Sequence, residues 1–223
     1  KMMTKISPHK ILVVVAHPDD AELGMGMRIK KYIDDGADVK VIVLSKGGNK
    51  GKKIESLRVG ECIEAGTHLG LNKTNYLFGN IPDTFFSEQR ASIRGYLEDL
   101  ISKYQPDTLY THFPDDYHLD HTITSEEAVV AARSVFNIIY FRSPYSRNFH
   151  PNKFLFELES FYEYKHKALD CFKSQSLVDI EIIKKLSGIE YVGLIHPNLI
   201  ESLYMKFGTK NLFYEPFQIL REI

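Results

Sequence analysis

Hydrophobic positions follow two rhythms along this chain, and the two alternate. Short apolar runs such as Ile11-Leu-Val-Val-Val-Ala16 and Val39-Lys-Val-Ile-Val-Leu44 are bounded by charged, proline or glycine residues. Runs of this length and β-branched content read as strands, and an unbroken one reads as a strand buried on both faces, as in a parallel sheet. Between the runs, apolar residues recur three and four positions apart, the spacing of an amphipathic helix. Strands are therefore expected over 11–16, Asp38–Leu44, Thr74–Phe78, Thr108–Thr111, Phe136–Arg142 and Phe154–Leu158. Helices are expected over Met25–Asp35, stopped by Gly36, and over 54–69, Thr122–Arg133 and Phe161–Lys173. Ser87 is placed to cap another helix that reaches Lys103. Further on, a helix is expected over Ile180–Leu186 and a terminal strand over Leu212–Leu220, interrupted by Pro216. Strand, helix and strand at the start form a βαβ unit, whose strands are parallel and whose crossover is right-handed. The class is α/β, with its functional edge at the carboxyl ends of the strands.

Composition narrows this picture only a little. With 223 residues, 43% apolar content and a formal net charge of −1, the chain supports one substantial core, and no linker, repeat or low-complexity tract divides it. A single domain over 1–223 is expected. The neutral balance gives no reason to expect nucleic acid or an anionic membrane as the main partner. No apolar run approaches a membrane span and no charged-then-apolar leader opens the chain, so the expected location is cytoplasmic. Cys62 and Cys171 are too few for a disulfide framework and are expected as free thiols. Lys1 precedes Met2 and Met3, so it is expected to derive from processing or cloning. The sequence leaves a homo-oligomer open.

Charge placement changes the picture much more. The first apolar run leads straight into His17-Pro18-Asp19-Asp20-Ala21-Glu22. Two carboxylates about 4 Å apart repel by roughly 4 kcal/mol at an effective dielectric near 20, so three acids at the lip of a core strand need a compensating positive charge. A helix N-terminus supplies part of one; a metal cation supplies more. The fourth run, Thr108–Thr111, leads into His112-Phe-Pro-Asp115-Asp116-Tyr-His118-Leu-Asp120-His121, with three histidines and three aspartates in ten residues. Both clusters fall at carboxyl ends of strands, where ligands bind in open parallel sheets. Two histidines and one aspartate form a ligand set that leaves a position for water, the pattern of catalytic zinc. His17, Asp20 and His121 are assigned to it, Asp19 as general base, and His118 as proton donor or oxyanion partner. Asp120 or Asp116 is expected to hold the His118 imidazole.

Other readings stand beside this one. The same ligand types accept Fe2+ in oxygenase triads, but the surplus acid and base beside the metal suits hydrolysis better. A nucleotide-binding module is suggested by Gly24-Met-Gly26, yet a dinucleotide fingerprint needs a third glycine where Ile29 stands. Ser45 to Lys53 is rich in glycine and lysine without Walker A spacing; as a rim, its Lys46, Lys50, Lys52 and Lys53 would suit an anionic substrate. Arg58 and Glu61, one helical turn apart, match a surface ion pair.

Taken together, Ala16-His17-Pro18-Asp19-Asp20-Ala21-Glu22 and His118-Leu119-Asp120-His121 resemble the signatures of the LmbE/PIG-L family of zinc-dependent N-deacetylases, A-H-P-D-D and H-P-D-H, with Leu119 replacing the second proline. The resemblance implies a Rossmann-like, mostly parallel sheet with helices on both faces, and zinc on His17, Asp20 and His121. It implies Asp19 as base, His118 as acid or oxyanion partner, and a substrate-facing Arg58. It further implies removal of an acetyl group from an N-acetylglucosamine-type sugar or conjugate, a small molecule; another acyl group on the same fold is the alternative. Lys173-Ser174-Gln175 resembles a late Ser-Gln element, but the histidine expected two positions before Ser174 is Phe172.

Overall fold

The computed structural model describes residues 9–48, 51–175, 203, 205–208 and 212–222; the helix expected over Ile180–Leu186 lies outside them. β1 (Lys10–Val15) is flanked in parallel by β2 (Asp38–Val43) and β4 (Thr108–His112). β3 (Tyr76–Phe78) adds outside β2, and β5 (Asn137–Phe141) outside β4, again in parallel. β7 (Leu212–Arg221) returns antiparallel to β5, and β6 (Lys153–Leu158) pairs antiparallel with β7 at the edge. The order β3-β2-β1-β4-β5-β7-β6 is thus one mixed, mostly parallel sheet.

Alternation along β1 explains the layers, because successive side chains leave a strand on opposite faces. Ile11, Val13 and Val15 join α1 (Asp20–Asp34), α2 (Lys52–His68) and α5 (Glu159–Leu169) through Met25, Ile29, Cys62, Ala65 and Ala168. Leu12, Val14 and Ala16 join α3 (Arg90–Tyr104) and α4 (Leu119–Ala131) through Ile93, Leu97, Ile123 and Ala128. Helices therefore cover both faces, as an α/β fold requires. Among the described residues no helix is long and apolar enough to cross a membrane. Cys62 and Cys171 are free thiols. The chain's direction of winding reverses between β1 and β4, and a crevice opens there at the carboxyl edge.

Several element bounds differ from those expected, each for a local reason. α1 begins at Asp20, five residues before Met25, because Asp19 takes a left-handed turn (φ 105°) and the Asp20 carboxylate accepts the His17 amide at 2.8 Å. Met25 is instead a break inside the helix, with φ −150° and ψ 30°. The amides of Met27 and Arg28 donate to the two carboxylate oxygens of Glu215 on β7, at 2.9 and 2.7 Å, and Lys165 of α5 completes a buried pair with Glu215 at 2.7 Å. The periodic pattern after the break is what the sequence displays. Ser87 lies within a 3₁₀ turn over Phe86–Gln89, anchored by the fully buried Phe86, and α3 starts at Arg90. A 3₁₀ turn over Lys73–Asn75, closed by Asn72, shortens β3 to three residues. β7 runs through Pro216 without interruption, since its pairing with β5 ends at Phe217 and a missing amide beyond that point costs no bond to β5.

Glu215→Ala should leave the Lys165 ammonium buried without its partner and the break in α1 without its acceptor. A loss of about 3–5 kcal/mol is expected in urea unfolding, as for other broken buried pairs. A loss below about 1 kcal/mol would show that the break does not depend on this pair.

Candidate metal centre

The β1 carboxyl end delivers His17, Pro18 and Asp19 into the crevice, and the first turn of α1 delivers Asp20. From β4 come His112 on the strand itself, then Asp116, His118 at the N-cap of α4, and Asp120 and His121 in its first turn. Asp20 lies at the centre of this group. One of its oxygens is 3.3 Å from His121 Nε2; the other accepts the His17 amide and lies 3.3 Å from His112 Nε2 and 3.7 Å from His17 Nδ1. The His118 ring stacks on His121 (centroids 4.5 Å apart) and is 4.9 Å from the His17 ring.

Asp19 stands apart from these contacts. Its left-handed backbone turns the carboxylate toward α2, where Arg58 Nη2 is 3.7 Å away. Arg58 is buried and donates to the carbonyls of Pro18 and Gly47, each at 3.1 Å. Gly47 is required there: at φ 69°, a Cβ would come within 2.1 Å of Arg58 Nη1. The surface ion pair with Glu61 is therefore not what forms. Glu61 instead accepts from the amide and hydroxyl of Ser174, at 2.9 and 2.5 Å, while Phe172 packs into the core.

Asp120 also departs from its expected task. Its carboxylate accepts the Thr84 amide at 2.8 Å and meets His17 Nε2 at 3.2 Å, where the carboxylate of Asp83 also arrives at 3.1 Å. Residues two apart at a helix start point to different sides, so Asp120 acts on the His118 ring through its charge, against the lowering by burial, rather than through a hydrogen bond. Asp116 accepts the His118 backbone amide at 2.8 Å and lies 3.4 Å from His121 Nδ1. The sequence alone assigns no role to His112 or Asp83. The carboxyl-edge rule alone marks them, since one ends β4 and the other follows β3. Lys46 of the basic rim donates to Asn80, Lys52 and Lys53 are exposed, and Lys50 lies outside the described residues.

Electrostatics explain how the buried carboxylates are balanced. Burial alone would lower the pKa of His17, but hydrogen bonds to Asp120 and Asp83 and the charge of Asp20 outweigh it and raise it to about 9. Burial likewise opposes protonation of His121, and Asp20 with Asp116 raises it to about 10. Asp20, despite burial, is held well below the usual carboxylate range by His121 and His112. Burial and the neighbouring Asp20 push Asp19 above that range, against the pull of Arg58. Burial and the charges of His121 and His17 lower His118. Two imidazoles held as cations supply the positive charge that the carboxylates demand. A bound cation would replace those protons.

The donor types fit such a cation. Among the described residues three overlapping groups bring nitrogen or oxygen donors within 4.8 Å of one another: His17, His118 and His121; Asp20, His112 and His121; and His17, Asp83 and Asp120. The expected trio of His17, Asp20 and His121 is not one of these groups, although each of its members contacts the other two or shares a group with them.

Residues 12–132, which carry every one of these side chains, match the family model described as PIG-L, GlcNAc-PI de-N-acetylase. This protein belongs to the PIG-L family. It is 31% identical over 170 residues to a protein described as the uncharacterized deacetylase YaiS of Escherichia coli K12, covering 74% of this chain and 90% of the relative. Among solved structures, N,N'-diacetylchitobiose deacetylase from Pyrococcus horikoshii matches with a TM-score of 0.69 and 23% identity, covering 96% of this chain and 85% of that one. The 4-carboxy-2-hydroxymuconate hydratase GalB from Pseudomonas putida KT2440 matches with a TM-score of 0.77 and 20% identity, covering 96% and 97%. Its different chemistry means that the PIG-L fold alone does not select the reaction.

Metal uptake should release protons from this PIG-L site, because His17 and His121 must give up theirs to act as donors. Affinity is expected to rise more than tenfold per unit between about pH 6 and 8, with calorimetry in buffers of different ionisation enthalpy reporting more than one proton released. An affinity independent of pH and buffer would contradict the charge assignment.

Proposed function

We propose that this PIG-L protein is a zinc-dependent N-deacetylase that hydrolyses the acetamide of an N-acetylglucosamine-type sugar or conjugate. The observation that carries the proposal is the arrangement around Asp20: the buried Asp19 carboxylate beside Arg58 on one side, and on the other the His118 ring against His121 and His17, with Asp20 itself between the two histidines. Support for the substrate class comes from the family description and from the chitobiose deacetylase of the same fold.

His17, Asp20 and His121 would hold the metal; zinc suits this nitrogen and oxygen set, and Fe2+ fits the same ligands. When bound, the metal acidifies water and polarises the amide carbonyl. Asp19 accepts the proton of the attacking water, a task matched to a base with a pKa nearer neutrality than an ordinary aspartate. Arg58 keeps that carboxylate aligned through its contacts to Asp19 and Pro18 and borders the substrate side of the crevice. His118 donates a hydrogen bond to the developing oxyanion, and Asp19 returns to the departing amine the proton it took from the water. Asp120 orients His17, in place of the role first expected for it beside His118.

Release of primary amine from free, glycosidic and nucleotide-linked N-acetylhexosamines, measured with and without a chelator, tests this reading. Asp19→Asn and His118→Ala are expected to retain zinc and lose about 10²–10⁴ in kcat/KM, whereas His121→Ala should lose zinc affinity itself. Zinc loss in His118→Ala protein would overturn the division of roles. Absence of release from every panel member by zinc-loaded protein would overturn the acetyl substrate.

A further inference from the structure

Asp20 faces one nitrogen of each of three imidazoles, His17, His112 and His121, and in His17 and His121 the far nitrogen meets a carboxylate on the other side of the ring. His17 turns Nδ1 toward Asp20 at 3.7 Å, while its Nε2 meets Asp120 at 3.2 Å and the more exposed Asp83 at 3.1 Å. His121 does the reverse, with Nε2 at 3.3 Å from Asp20 and Nδ1 at 3.4 Å from Asp116. His121 Nδ1 is buried without a well-aligned hydrogen bond, and Asp116 is the carboxylate it faces. A neutral imidazole carries one N–H and one lone pair, and the acceptor beyond the ring decides which nitrogen keeps the hydrogen.

Both outer carboxylates are themselves fixed. Asp120, only 2% exposed, accepts the Thr84 amide. Asp116 accepts the His118 amide and the hydroxyls of Ser143 and Ser146, which lie in the turn after β5. That turn is tied to the segment after β4 through Tyr117 N to Tyr145 O at 3.1 Å and Arg147 N to Asp115 O at 2.7 Å. A carboxylate so held can hold a ring in turn.

We propose that Asp120 and Asp116 are positioning residues that impose opposite tautomers, so that His17 offers Nδ1 and His121 offers Nε2 to a cation at Asp20. The inference rests on the metal-centre reading above and adds the nitrogen each ring uses and the acid that selects it. Sequence distance conceals the pairing: Asp120 adjoins His121 yet serves His17, 103 positions away.

The test is zinc affinity of the full chain by competition with a chromogenic chelator, for wild type, Asp116→Asn and Asp120→Asn. Asparagine keeps an oxygen acceptor for the His118 and Thr84 amides, so it removes the charge facing the ring while sparing the backbone bonds. Each variant should bind zinc about 10–100-fold more weakly with an unchanged far-UV spectrum. Long-range proton–nitrogen spectra of zinc-loaded wild type should place the ring hydrogen on Nε2 of His17 and Nδ1 of His121. If an asparagine variant does not fold, Ser143→Ala removes one bond to Asp116 and should weaken zinc by about fivefold, one hydrogen bond's worth. Affinities within twofold of wild type, or the hydrogen on the same nitrogen of both rings, would overturn the proposal while the metal centre stands. A wild-type chain that takes up no zinc would overturn both.

Discussion

The crowding of carboxylates around Asp20 at the carboxyl edge of β1 and β4 is the constraint on which the site depends. Asp19, Asp20, Asp116 and Asp120 are all buried there, with Asp83 beside them. In water such a group would separate; in the crevice, backbone amides and imidazoles hold it together. The His17 and Thr84 amides and the His118 amide each end on one of these carboxylates. The remaining negative charge raises the proton affinity of His17 and His121, and a divalent cation would take the place of those protons.

The rest of the fold serves to keep that arrangement. Five parallel strands with helices on both faces place five loops at one edge, and the reversal at β1 and β4 brings two histidine- and acid-rich stretches to the same crevice although they are about a hundred residues apart in sequence. The broken α1 lets its first turn follow the crevice while its longer part packs on the sheet beside α5, and Glu215 with Lys165 satisfies the amides freed by the break. Gly24 allows the first segment to lie against Phe141, where a Cβ would come within 2.2 Å of the ring.

Much of this is legible in the sequence because it is local. The unbroken run of β1, the periodicity of α2 and α4, and the His-Asp spacing all express short-range chemistry. What escaped is what depends on distant partners. Asp120 looks like a companion of the nearby His118 and instead reaches His17; Arg58 looks by spacing alone like a surface partner of Glu61, only the family resemblance turns it toward the site, and its contacts to Asp19 and Pro18 are visible in neither. The break at Met25 is stabilised by a glutamate 190 positions later, and no helical pattern contains that fact. His112 and Asp83 gain meaning only when the sheet order brings their strands together.

The measurement that bears most directly on the account is anomalous diffraction at the zinc edge from crystals of the zinc-loaded protein. One peak is expected within coordination distance of His17, Asp20 and His121. A peak bound elsewhere, or none from protein that still releases amine in the presence of chelator, would contradict a reaction built on a cation at Asp20.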